Sequence, residues 1–147
     1  MNETYVPGGD PELRSILGDA KTVAVVGLSS NPTRPSYEVA EYLQSKGYRI
    51  VPVNPNETEV LGERAYPSLA DIPADIEINV VDVFRRAEQT PEVAEAAVAR
   101  GAKVLWLQEG IANDDARQIG EDGGLSVVMG VCMRKQSERL ERVEGES

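Results

Sequence analysis

The sequence predicts an α/β fold: a doubly wound parallel sheet of about five strands, with helices on both faces in three layers, α/β/α. Two observations carry this. Five short runs rich in β-branched residues alternate with segments whose apolar residues fall at helical spacing. Such spacing requires crossover connections, and crossovers give parallel strands. The chain of 147 residues, 41% hydrophobic, has the size of one domain. A domain of that size buries about two-thirds of its unfolded surface without disulfides or a structural metal.

Residues 1–20 read as an arm followed by a short helix. Pro7-Gly8-Gly9 loosens the start, Asp10 is the expected N-cap, Pro11 opens the helix and Gly18 lies just past its end. The expected strands are Thr22 to Leu28, Tyr48 to Val53, Ile76 to Val83, Lys103 to Leu107 and Leu125 to Met129. The expected helices are Ser36 to Lys46, closed by Gly47, Pro91 to Arg100, closed by Gly101, and Asn113 to Glu121, ending at Gly123-Gly124. Val60 to Ile72, bracketed by Gly62, Pro67 and Pro73, reads as a long connection. The main domain then spans 21–140 and a tail 141–147; around Leu140 and Val143 the charges alternate, as in a solvated helix turn or a frayed end. Together these elements make the fold Rossmann-like.

Composition excludes several chemistries. No His is present and Cys132 is the one thiol, so a Cys/His zinc site, a Ser-His-Asp triad, a Cys-His pair and a phosphohistidine are ruled out. The formal charge of −10, with no run of cations, argues against nucleic-acid or anionic-membrane partners. The longest apolar stretch is too short to span a bilayer and Met1-Asn2-Glu3 lacks signal-peptide character, which predicts a cytoplasmic protein. The acidic balance, with 15 cations against 25 anions, suits either solubility in strong salt or an ordinary acidic protein.

In a doubly wound sheet, ligands sit beyond the carboxyl ends of the strands. After the first strand, Gly27 permits close backbone approach, and Leu28, Ser29, Ser30 and Asn31 form a polar loop leading to Arg34, Pro35 and Ser36 at a helix start. A helix start favours phosphate and Arg34 adds a cation capable of bidentate contact; the alternative is a polar capping loop with Arg34 solvated. Neither the three-glycine dinucleotide fingerprint nor the nucleoside-triphosphate loop with its Lys is present. At the end of the second strand, Asn54-Pro55 replaces the acidic residue that holds ribose hydroxyls in NAD enzymes, which favours a phosphorylated adenosine, unless Asn54 only caps its turn. After the third strand, Val83-Phe84-Arg85-Arg86 offers an aromatic ring for adenine or core and two cations for phosphate or solvent. After the fourth, Gln108 is suited to a ligand amide and Gly110 to close passage of a chain, while Trp106 reads as core. Cys132 reads as a small buried hydrophobe rather than a nucleophile. Asp71, Asp75 and Asp82 are scattered, with no spacing that suggests paired carboxylates.

Gly27 to Tyr37, Pro52-Val53-Asn54-Pro55, Val60-Leu61-Gly62, Tyr66-Pro67-Ser68-Leu69, Asp82-Val83-Phe84-Arg85 and Trp106-Leu107-Gln108-Glu109-Gly110 resemble, in this order, the small stand-alone CoA-binding proteins. These are similar to the CoA-binding domain of the succinyl-CoA synthetase alpha subunit. The resemblance runs from about Lys21 to Leu140. It implies coenzyme A as cofactor, with phosphates near the first loop and Arg34-Pro35-Ser36. It also implies adenosine by Asn54-Pro55 with Val83, Phe84 and Arg85 nearby, and a pantetheine arm running toward Gln108 and Gly110. Two departures stand out: Asn56, Glu57 and Glu59 where the family often has a basic residue, and Gly130-Val131-Cys132 where it usually has Asp-Arg-Cys.

The reading is therefore a binder of CoA or a short acyl-CoA without catalysis of its own, working as a homo-oligomer or beside an enzyme that uses acyl-CoA. Two rivals remain open on the residues alone. One is a small NAD(P)-dependent oxidoreductase; the other is a ligand-free interaction module.

Overall fold

The computed structural model of the protein describes residues 4–145. Its elements in chain order are α1 (Gly9–Asp19), β1 (Thr22–Val26), α2 (Pro35–Ser45), β2 (Arg49–Val53), β3 (Glu59–Val60) and β4 (Glu63–Arg64). Then come β5 (Val80–Val83), α3 (Thr90–Ala99), β6 (Val104–Leu107), α4 (Asp114–Asp122), β7 (Ser126–Met129) and α5 (Met133–Gly145). Five strands form one parallel sheet in the order β2-β1-β5-β6-β7. The chain leaves β1 toward β2 on one side and returns to β5 on the other. The topological switch point thus lies between β1 and β5, where Phe84 N–H donates to the Val26 carbonyl at 2.8 Å.

Side-chain alternation along these strands builds two cores. Val23, Val25, Ile50, Val80, Val104, Trp106 and Val128 face α1, α2 and α5, whereas Ala24, Val26, Val51, Val81, Leu105 and Val127 face α3 and α4. Since both faces are covered, the strands read as near-continuous apolar runs. Away from the polar residues that open β1, β2 and β7, the exception is Asp82, fully buried in β5 and sharing the parity of Val80.

Element by element, the differences from the sequence reading are local. The first helix starts at Gly9 behind a left-handed Gly8 and runs through Gly18, and Asp10 is not its cap. Asp10 instead forms a bidentate pair with Arg139 of α5, with N···O distances of 2.7 and 3.0 Å. Strand β1 stops at Val26 because Gly27 turns left-handed, with φ 88. The long connection contains the β3–β4 hairpin, turned at Leu61 and Gly62, both with positive φ. It covers the outer edge of β2 through Tyr66, whose N–H donates to the Pro52 carbonyl at 3.0 Å. At the opposite edge, Tyr5 makes an antiparallel bridge with Met129. The C-terminal charges belong to α5, with Met133, Ser137 and Leu140 on its buried side. Residues 1–3 of the expected arm and 146–147 of the expected tail lie outside the described residues. Among the described residues no helix is long and apolar enough to cross a membrane.

Candidate functional site

The loop after β1 is organised by its own side chains. Ser36 Oγ accepts the Ser29 N–H at 3.1 Å, Ser29 Oγ accepts Asn31 N–H at 3.0 Å, and Asn31 Oδ1 accepts Thr33 N–H at 3.0 Å. Short hydroxyl and amide side chains are what such a self-bonded turn needs. The loop delivers the chain to Pro35 at the first turn of α2, whose N-cap, Arg34, offers no side-chain acceptor. Pro35 has no N–H, and the Tyr37 and Glu38 N–H groups donate to the Arg34 carbonyl at 3.1 and 3.3 Å, so what this start offers a ligand is the positive end of the helix dipole rather than a set of free donors. Gly27, Ser29, Arg34, Pro35, Ser36 and Phe84 line a cavity of about 320 Å³ at this helix start.

Gly27 serves a closer neighbour than a ligand. A Cβ built on it would lie 2.3 Å from the Phe84 carbonyl oxygen, so the two loops at the switch point pack backbone to backbone. Leu28 and Val83 are fully buried in the two cores, so their side chains face away from solvent. Asn54 caps its own turn, accepting Asn56 N–H at 2.9 Å, and its Nδ2 donates to the Leu28 carbonyl at 3.1 Å. That side chain ties the β2 turn to the first loop. Pro55 follows, exposed at the turn.

On the α3 side of the same sheet edge lies a second cavity, of about 340 Å³. Val26, Val53, Leu69 and Val93 supply apolar walls, with Arg85, Gln89 and Glu92 as its charged and polar groups. Phe84 and Arg85, consecutive after β5, thus serve different cavities. Phe84 is half-buried against the α2 side, and Arg85 reaches the α3 side. Gln89, Val93 and the strand residues Val26 and Val53 were not foreseen. Their apolar spacing read as core, and the half turn at Ala87–Gln89 had no periodic signal.

Gln108 is turned inward. It is 2% exposed and its Nε2 donates to Asp82 Oδ1, so it faces a carboxyl instead of a ligand amide. Among the described residues, Asp82 Oδ2 is buried without a hydrogen-bond partner. Burial pushes the Asp82 carboxyl up to about 7, and the Gln108 hydrogen bond only partly opposes this. The signal for Asp82 was present as a lone carboxylate inside Val80-Val81-Asp82-Val83. Gly110, with φ 81, leads the chain out of the β6 end into open space. Cys132, 8% exposed, immediately precedes α5; burial pushes its thiol up, outweighing the backbone N–H groups of Lys135 and Arg134. A thiol held in that state is a poor nucleophile.

A doubly wound parallel sheet with a cavity on each side of its strand ends at the switch point is the architecture of the Rossmann-like α/β proteins. Within that class, the family model of the CoA binding domain matches residues 21–137, and the chain belongs to that family. It is 44% identical over 123 residues to the uncharacterized protein YneT of Bacillus subtilis, covering 84% of this chain and 90% of that one. It is also 34% identical over 95 residues to the ADP-forming acetate–CoA ligase II of Archaeoglobus fulgidus, over 63% of this chain. The match spans only 14% of that ligase. Among solved structures, a hypothetical protein of Pyrococcus horikoshii superposes with a TM-score of 0.87 at 42% identity, covering 95% of this chain and 99% of that one. The chain thus shares a binding module with ADP-forming acetate–CoA ligases and matches small proteins over nearly their whole length.

Proposed function

We propose that the protein binds coenzyme A, or a short acyl-CoA, across the carboxyl ends of its strands and catalyses nothing by itself. The observation that carries this is the pairing of the two cavities across the switch point. One is walled by Val26, Val53, Leu69 and Val93, and the other lies at the uncapped α2 start beside Arg34. A purine needs apolar walls with a few polar groups, and a diphosphate needs N–H donors and a cation. Coenzyme A joins both to a long flexible arm. In this reading adenosine enters the cavity next to Val53 and Asn54, where Arg85 meets its phosphate. The diphosphate lies at Ser29, Arg34 and Ser36, and the pantetheine arm passes Phe84 toward Gly110. Gln108 then acts through the shape of the β6 end, since its side chain belongs to Asp82.

The residues around Cys132 support binding without turnover, because its thiol is held protonated and no His is available as base. A cytoplasmic protein that holds CoA would hand it to, or keep it from, an enzyme that uses acyl-CoA. One feature favours a nicotinamide cofactor instead: Glu57, on the turn after β2, places a carboxylate where unphosphorylated ribose hydroxyls are often held. Native mass spectrometry of the purified protein separates the two. CoA or an acyl-CoA near one per chain, lost in Arg34→Ala, is the expected result; nicotinamide dinucleotide in its place would contradict it.

A further inference from the structure

The turn after β2 brings a carboxylate onto the loop that the proposed ligand must reach. Asn54 anchors this turn on both sides, through Nδ2 to the Leu28 carbonyl and Oδ1 to Asn56 N–H, and Glu57 N–H donates to the Asn54 carbonyl at 3.3 Å. Held this way, Glu57 reaches across 27 residues of sequence, and its Oε2 accepts the Ser30 N–H at 2.6 Å. The neighbouring amides of Ser29, Asn31 and Thr33 bond to uncharged oxygens of Ser36, Ser29 and Asn31. Of the acceptors on these four amides, Glu57 alone is charged and alone comes from outside the loop and the α2 helix start it leads into. Among the described residues it has no cation within 4.0 Å to hold it there.

We infer that Glu57 is an internal stand-in for a ligand phosphate, which a phosphate must displace from the Ser30 amide, so that this side chain sets affinity for phosphorylated ligands. A short charge-assisted bond from a backbone N–H is the contact a phosphate oxygen would make. An anion approaching that amide meets like charge from Glu57 and must either expel it or bind beside it, and both weaken binding. The half-buried, cation-free carboxylate can leave, because its contact with Ser30 lies at the surface of the protein. The inference rests on the CoA reading for which ligand arrives, and on the Ser30–Glu57 contact for what resists it.

The test compares wild type with Glu57→Gln and Glu57→Ala, titrating CoA, dephospho-CoA, NADH and inorganic pyrophosphate, with the Ser30 amide followed by NMR. Removing the charge should tighten CoA by roughly 3- to 30-fold, move the Ser30 amide resonance on saturation and leave thermal stability close to wild type. A gain confined to CoA assigns the displaced position to the ribose 3′-phosphate; an equal gain for CoA and dephospho-CoA assigns it to the diphosphate. Either supports the stand-in. Unchanged affinity for CoA and pyrophosphate in both variants overturns it, as does an NADH affinity that falls in Glu57→Gln, which would make Glu57 a ribose ligand. If no form binds CoA, the CoA reading fails, and pyrophosphate alone then decides Glu57: tighter binding in the variants upholds the stand-in.

Discussion

The two sides of the strand-end crevice use polar residues in opposite ways. At the β1–α2 loop, Ser29, Ser30, Asn31 and Arg34 are at the surface or half-buried, and the loop bonds mostly to itself. At the β5–β6 floor, Asp82 and Gln108 are buried and bond to each other. The first arrangement leaves a cation and a helix start facing solvent, where a ligand can exchange with water at small cost. The second removes a carboxyl from water and compensates only one of its oxygens, which costs stability whenever the acid ionises. A polar residue near a strand end is open to a ligand only where the fold leaves it wet.

The largest expected effect tests whether the two sides are mechanically one unit. Gly27→Ala puts a Cβ 2.3 Å from the Phe84 carbonyl at a backbone φ of 88, so the first loop and the β5 end must separate. The loss should be about 3–6 kcal/mol, read as a fall in the denaturant midpoint. A midpoint near wild type would mean the loops are not locked together.

Next comes the buried floor. The Asp82 carboxyl titrates near 3.8 when unfolded and is raised to about 7 when folded, so folding is unpenalised below the lower value. Between the two values the unfolded chain releases a proton that the folded one keeps, and stability falls as pH rises, levelling off above the folded value. Asp82→Asn removes this dependence. Relative to the variant, wild type should lose about 4 kcal/mol between pH 3.5 and pH 8, measured by denaturant unfolding at both. Parallel profiles would show that Asp82 is not held as an acid.

The exposed side gives the smaller, binding-specific effects. Arg34→Ala should weaken CoA by about 1–3 kcal/mol while leaving the unfolding midpoint unchanged, because its guanidinium is solvent-exposed. Equal affinities would return Arg34 to the status of a solvated cap. Smallest of all, Cys132→Ser should keep CoA binding within about threefold, since the thiol is protonated and packed beneath α5. Steady hydrolysis of an acyl-CoA by wild type, absent in the variant, would contradict this.

The contrast also marks what could be read from residues alone. Periodicity supplied the five strands and the helices α2 to α4 within a few residues, because crossover topology leaves few alternatives. The polar first loop was legible, since Ser29 to Ser36 carries side chains that make turns and helix starts. The partners of Gly27, Asn54 and Gln108 were not, because each is a neighbour in space from another strand end: Phe84, Leu28 and Asp82. Glu57 was read only as a departure from a basic pattern, and its contact with Ser30 needed the Asn54 turn to be seen in place. The apolar cavity walls escaped because Val26, Val53 and Val93 fit a core pattern equally well.

Isothermal titration of the purified, ligand-stripped protein with CoA and with NADH in one buffer decides whether the crevice selects CoA. One CoA per chain is expected, saturating at concentrations where NADH gives no binding heat. Saturation by NADH at lower concentration than CoA would contradict it.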